Sequence, residues 1–134
     1  PELIKRANNY GDVILLPHLG ASTTQAEENC ATMAVDQITE FLQSGNITNS
    51  VNFPNVHLDM STDYRIAITN KNVPAMIGKI ASRLGKLGLN ISDMTNVSKG
   101  DIAYNLIDVE NKVDAEAIQQ LSSIQDIINV RLID

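Results

Sequence analysis

The chain has 134 residues, 43% of them apolar and 19% charged, with a formal net charge of −6. That composition is globular rather than disordered, and an acidic chain without a Lys/Arg run is a poor partner for nucleic-acid phosphates. The single cysteine, Cys30, excludes an intramolecular disulfide and suits a reducing cytoplasm, and no apolar run approaches the roughly 20 residues of a membrane-spanning helix.

The sequence opens at Pro1 without an initiator methionine or a signal-peptide pattern, so it reads as a piece of a longer protein. Residues 1–12 are polar and loop-like. The apolar run Val13-Ile14-Leu15-Leu16, stopped by Pro17, reads as a short buried strand, and His18 follows on the turn. A histidine at a strand end is held rigidly yet can face a cleft, and an unperturbed pKa near about 6.5 suits proton transfer close to neutrality. Ser22 or Thr23 then offers a hydroxyl cap, with Gln25, Glu27 and Glu28 near the positive end of a helix. Ala26, Cys30, Met33, Ala34, Ile38, Phe41 and Leu42 recur at helical spacing, and Gly45 supplies the stop. The apolar side of this helix needs a partner, and Cys30 on that side reads as a buried small hydrophobe. Residues 46–60, rich in Asn and Ser, read as an extended linker in which His57 stands alone.

From Tyr64 the pattern alternates. Tyr64-Arg65-Ile66-Ala67-Ile68-Thr69 has strand periodicity, a turn over residues 70–73 precedes Pro74, and Met76, Ile77, Ile80, Ala81, Leu84 and Leu87 form a helical stripe ended by Gly88. Residues 89–97 and 102–109 read as strands joined by the turn Lys99-Gly100-Asp101; residues 113–121 read as a second helix and 124–133 as a last strand. The order β-α-β-β-α-β predicts an α+β, ferredoxin-like split βαβ sandwich with both helices on one face of an antiparallel sheet. The expected organisation is a first segment over 1–55, a linker over 56–63 and a small module over 64–134.

The run Pro17-His18-Leu19-Gly20-Ala21-Ser22-Thr23 before a Glu-bearing helix resembles the stretch that carries the catalytic histidine of the D-2-hydroxyacid dehydrogenases. Asn49-Ser50-Val51-Asn52-Phe53-Pro54 is similar to the link to a regulatory domain in the phosphoglycerate-oxidising branch of that family, and residues 64–134 resemble an ACT module. The resemblance implies an NAD-dependent oxidoreductase of serine biosynthesis, with His18 as general acid/base and Leu19, Gly20 and Ala21 beside the nicotinamide. It implies that the orienting Glu and the substrate-binding Arg lie upstream. It also implies a homodimer formed through the ACT module, with an amino-acid effector, L-serine, at its interface, where the turn over residues 70–73 faces Asn90 of the neighbouring chain. Two positions depart from the family pattern: Ala75 stands where Gly commonly follows the turn proline, and Asn70 stands where serine-sensing forms commonly carry His.

Three asparagines are the effector candidates. Asn70 and Asn72 lie on the strand-to-helix turn beside a helix N-terminus that attracts a carboxylate, and Asn90, opening the next strand, is expected at the same edge. Against this, asparagines favour turns for purely structural reasons. Gly85-Lys86-Leu87-Gly88 closes a helix instead of opening one, so it is no dinucleotide loop, and the chain alone is expected to be inactive. Asp59, Asp101 and Asp108 are scattered, and no metal-ligand spacing is present. Two other readings remain open: a stand-alone ACT module for binding or dimerisation, and the tail of an enzyme acting on another D-2-hydroxy acid. A stand-alone module would not need Pro17-His18 followed by a long amphipathic helix.

Overall fold

The computed structural model describes residues 2–9 and 13–134, and the chain divides into two units, Pro1–Asp36 and Gln37–Asp134. In the first unit the expected loop is instead a helix, α1 (Glu2–Asn9), with Glu2 in its first turn and Arg6 in its last, the arrangement the helix dipole favours. Pro1, Tyr10, Gly11 and Asp12 of that expected loop lie outside the described residues. The buried strand expected at residues 13–16 does not form: the segment is irregular, with Ile14 82% and Leu16 75% exposed. A strand needs a neighbour for its N–H and C=O groups, and no described strand pairs with this one.

The long helix α2 (Thr24–Ser44) starts as expected. Thr23 caps it, its Oγ1 accepting from Ala26 N–H at 3.2 Å. Gly45, at φ +76°, ends it, donating its N–H to the Phe41 carbonyl at 3.0 Å. None of the residues of α2 is buried, and Cys30, expected in a core, is exposed.

The second unit is built on four strands, β1 (Tyr64–Lys71), β2 (Ile91–Lys99), β3 (Ile102–Val109) and β4 (Ile127–Ile133), in the order β2-β3-β1-β4 with every neighbour antiparallel. Between them run α3 (Met76–Lys86) and α4 (Ala115–Ser122), the latter capped by Asp114, whose side chain accepts from Ala117 N–H at 2.7 Å. The expected β-α-β-β-α-β ferredoxin-like fold is present. Strand alternation puts Ile66, Ile68, Ile107 and Val109 on one sheet face, where Ile80 and Leu84 of α3 and Ala117 and Leu121 of α4 bury them.

The opposite face is covered by the stretch read as a linker. Ile47 and Val56 exchange backbone hydrogen bonds at 2.8 and 2.9 Å and pack with Ala67, Tyr104, Leu106 and Ile133. Phe53 sets its ring edge-on to Tyr104 at 5.9 Å between centroids. An Asn- and Ser-rich segment thus folds down onto the sheet through Ile47, Phe53, Val56 and Leu58, and residues 56–63 belong to the second unit. Among the described residues no helix is long and apolar enough to cross a membrane.

Candidate functional site

His18 sits exposed at a bend, and Gly20 and Ala21 form a turn closed by Ser22 N–H on the Leu19 carbonyl at 3.1 Å. A Cβ placed on Gly20 would meet nothing within 4 Å, so the turn leaves space for a flat group to approach its backbone. Among the described residues nothing bonds the ring of the exposed His18. The four candidates His18, Leu19, Gly20 and Ala21 therefore lie together on one open turn before the capped start of α2.

The turn between β1 and α3 is more tightly built. Asn72 donates its backbone N–H to the Asp101 carbonyl at 2.8 Å and its side-chain amide to the Gly100 carbonyl at 3.0 Å, which ties this turn to the β2–β3 hairpin. Ala75 adopts φ +69° as the chain enters α3, and no side chain caps that helix. The first-turn N–H groups of α3 therefore have no side-chain cap, the kind of helix start at which a carboxylate can be held.

Asn70 plays a different part. It is buried, donating its amide to the Lys71 carbonyl at 2.6 Å and accepting from Asn105 at 2.7 Å. Asn105 donates also to the Ile68 carbonyl at 3.1 Å and accepts from Asn96 at 2.5 Å, so three amides form a chain across β1, β3 and β2. Sequence reasoning singled out the first member alone. The register also corrects the placing of Asn90: Ile91 and Tyr64 both face Val109, whereas Asn70 and Ser98 both face Ala103. Because β1 and β2 run parallel either side of β3, the start of β2 and the end of β1 are at opposite ends of the sheet, about 20 Å apart at roughly 3.3 Å per residue.

The residues that sequence reasoning missed altogether are on the other face. Arg65 and Asp108, cross-strand partners on β1 and β3, are each 0% exposed and form a forked pair, Nε to Oδ1 at 2.6 Å and Nη2 to Oδ2 at 3.0 Å. Arg65 Nη1 donates to the carbonyls of Ser44 at 2.9 Å and Leu58 at 2.8 Å, while Asp108 accepts from Ser61 N–H at 2.8 Å and its hydroxyl at 3.0 Å. Burial by itself raises the Asp108 carboxyl; the Arg65 fork and the Ser61 donors outweigh it and hold the group below its ordinary value.

Two neighbours complete the grip on the end of α2. Tyr104 Oη donates to the Gly45 carbonyl at 2.9 Å, and Arg131 donates to the Phe41 carbonyl at 2.5 Å with its guanidinium 4.3 Å from the Phe41 ring centre. A helix C-terminus leaves carbonyls unsatisfied, and here sheet side chains satisfy them. His57, read as solitary, joins this border: its ring nitrogens lie 3.1 Å from the Asn46 amide and 3.2 Å from Asp59 Oδ1.

No protein-family model matches the chain. It is 27% identical over 126 residues to D-3-phosphoglycerate dehydrogenase of Escherichia coli (strain K12), covering 92% of this chain and 31% of that protein. It is 31% identical over 123 residues to the protein of the same name from Dictyostelium discoideum, covering 91% of this chain and 30% of that one. Among solved structures it is similar to the ACT domain from GTP pyrophosphokinase of Chlorobium tepidum, with 21% identity and a TM-score of 0.44 over 52% of this chain and 94% of that one. The chain thus spans about 30% of the length of the curated relatives it matches. Over 91–98% of its own length it resembles the C-terminal portion of D-3-phosphoglycerate dehydrogenases.

Proposed function

We propose that the chain is the C-terminal region of an NAD-dependent D-3-phosphoglycerate dehydrogenase, with the catalytic histidine in its first unit and an amino-acid-sensing ACT module in its second. The observation that carries this reading is the open turn Pro17-His18-Leu19-Gly20-Ala21 set directly before the capped start of α2. A bound NAD would supply the acceptor for the hydride of the substrate carbinol, with Leu19, Gly20 and Ala21 beside its nicotinamide. His18 takes the hydroxyl proton on a ring nitrogen, and the small residues after it leave the nicotinamide room. The 134 residues alone are not expected to turn substrate over, because among the described residues no glycine-rich loop joins a strand to a helix. In the intact enzyme, His18→Ala lowers turnover with 3-phospho-D-glycerate by roughly 10²–10⁴-fold. Near-normal turnover of that variant would overturn the assignment.

The effector site follows from the same geometry taken twice. Both β2 and β4 are sheet edges with unpaired backbone groups. A two-fold pairing of β2 with its copy, centred near Thr95, sets Asn90 of one chain opposite Gly100 of the other, the residue Asn72 already bonds. That restores Asn90 to the site from which the single chain removes it. L-Serine then binds at the dimer interface, its carboxylate on the uncapped start of α3 and its ammonium on the amide oxygens of Asn72 and Asn90. Asn70 holds the turn in place from beneath. Calorimetric titration with serine is the test: Asn72→Ala and Asn90→Ala each weaken binding by about tenfold, the equivalent of one good hydrogen bond. Serine binding that both variants leave unchanged would overturn the site.

A further inference from the structure

Lys79, Arg83 and Lys86 recur at i, i+4 and i+7 on α3, which places them along one helix face. With Ser82, Ser123 and Ile124 they line a cleft of about 400 Å³ between α3 and the connection from α4 to β4. The chain has 16 acidic against 10 basic residues, yet no carboxylate pairs with any of these three among the described residues. Arg83, in the cleft wall, donates its Nη1 to the Gln120 carbonyl at 3.1 Å, which tethers the guanidinium there. The helix dipole accounts for cations in the last turn, where Arg83 and Lys86 lie, but disfavours Lys79, only four residues into the helix. Like charges a turn apart also repel. A cation placed against both effects, beside two more cations and two hydroxyls, describes a receptor for an anion with several acceptor oxygens.

We propose that this cleft binds a phosphate dianion, either free or as the monoester of a small molecule. A guanidinium fork takes two phosphate oxygens at once, the two lysines supply mobile point charges, and the serine hydroxyls donate to the remaining oxygens. Ile124, the one apolar residue of the lining, gives the carbon skeleton of an ester a surface to rest on. Three cations on a chain of net charge −6 neutralise one phosphate but are too few to hold a nucleic-acid strand. The site lies along α3 and is separate from the turn at Asn72, so its failure leaves the effector reading untouched.

The test is an amide-resonance titration of the chain with inorganic phosphate and then glycerol 3-phosphate, at ionic strength held constant with sodium chloride. Saturable shifts are expected at Lys79, Ser82, Arg83, Lys86 and residues 123–125, and the exposed pair Lys79→Gln/Lys86→Gln should weaken binding by about tenfold or more. Tighter binding of glycerol 3-phosphate identifies a monoester as the ligand, and equal binding identifies free phosphate. Shifts reproduced by chloride alone, a double variant that titrates like the parent, or stronger binding of a short single-stranded DNA would each overturn the proposal.

Discussion

Helices α2 and α3 both carry apolar residues at helical spacing, more sharply segregated in α3, and end in opposite states. Leu84 of α3 is 0% exposed, whereas Leu42 of α2 is 61% exposed, as are Met33 and Ile38 in large part. The difference is not in the helices. The face that receives α3 is supplied by Ile66, Ile68, Ile107 and Val109 of the same chain, while no residue of α2 is buried. Periodicity fixes which side of a helix is apolar; burial depends on whether the partner surface is present. What holds the end of α2 is polar instead, through the side chains of Arg65, Tyr104 and Arg131 on the carbonyls of its last turn.

Removing the centre of that polar grip is the largest expected effect. Asp108→Asn leaves the buried Arg65 charge without its counter-ion, and loss of one partner of a buried pair costs about 3–5 kcal/mol. Urea unfolding followed by circular dichroism reads this directly. The pH dependence has a definite sign: a carboxyl held low in the folded state contributes stability that is complete above the unfolded value near 3.9. That stability is lost as pH falls through the lower folded value. The parent chain therefore loses stability below about pH 4, and the variant shows a flatter acid limb there. An unchanged acid limb would mean the pair is not the titrating element.

The helix comparison itself is sharpened by a matched pair of truncations. Leu84→Ala empties a filled core position and should cost roughly 2–5 kcal/mol, while Leu42→Ala, at an exposed position, should stay within about 0.5 kcal/mol. Equal costs would show that α2 is covered in solution, and sedimentation would then reveal the self-association its apolar side favours.

The second unit was largely legible in the sequence, because each strand and helix there is paired within the chain. Periodicity alone locates Ile66, Ile80, Leu84 and Ile107 in the core, and Lys99-Gly100-Asp101 is a plain hairpin signal. Residues 13–16 misled for the opposite reason: an apolar run signals burial, but its pairing partners are not among the described residues. The linker reading failed because Asn and Ser signal irregular backbone without saying whether Ile47, Phe53 and Val56 between them pack on something. The Arg65–Asp108 pair was invisible because it depends on the β1–β3 register, which connects residues 43 positions apart. Once strand order is known the signal is clear: with Ile66 and Ile68 facing the helices, Arg65 must face the other way. The expectation that Asn90 shares an edge with Asn70 within one chain fails for the same reason, since strand direction is not readable from the pattern; its place across a dimer is a separate matter.

The smallest expected effect concerns the entrance to α3. Ala75 holds φ +69° and ψ 7°, a conformation that costs an L-residue roughly 1–2 kcal/mol and glycine almost nothing. Replacing alanine by glycine also frees the unfolded chain, which offsets about 0.4–1 kcal/mol of the relief. Ala75→Gly should therefore stabilise the second unit by about 0.5 kcal/mol, measurable as a small rise in urea midpoint. Ala75→Val, branched at the same positive φ, should lower the midpoint by more than the glycine raises it. The substitution also bears on function. Ala75 immediately precedes the uncapped first turn of α3, so on the proposed effector site removal of its Cβ gives a carboxylate more room there. Serine should then bind Ala75→Gly more tightly than the parent chain, by a few-fold, with no change in the Asn72 dependence. A glycine variant that is less stable, or that binds serine more weakly, would show that Ala75 is shaping the turn through its methyl group rather than being tolerated there.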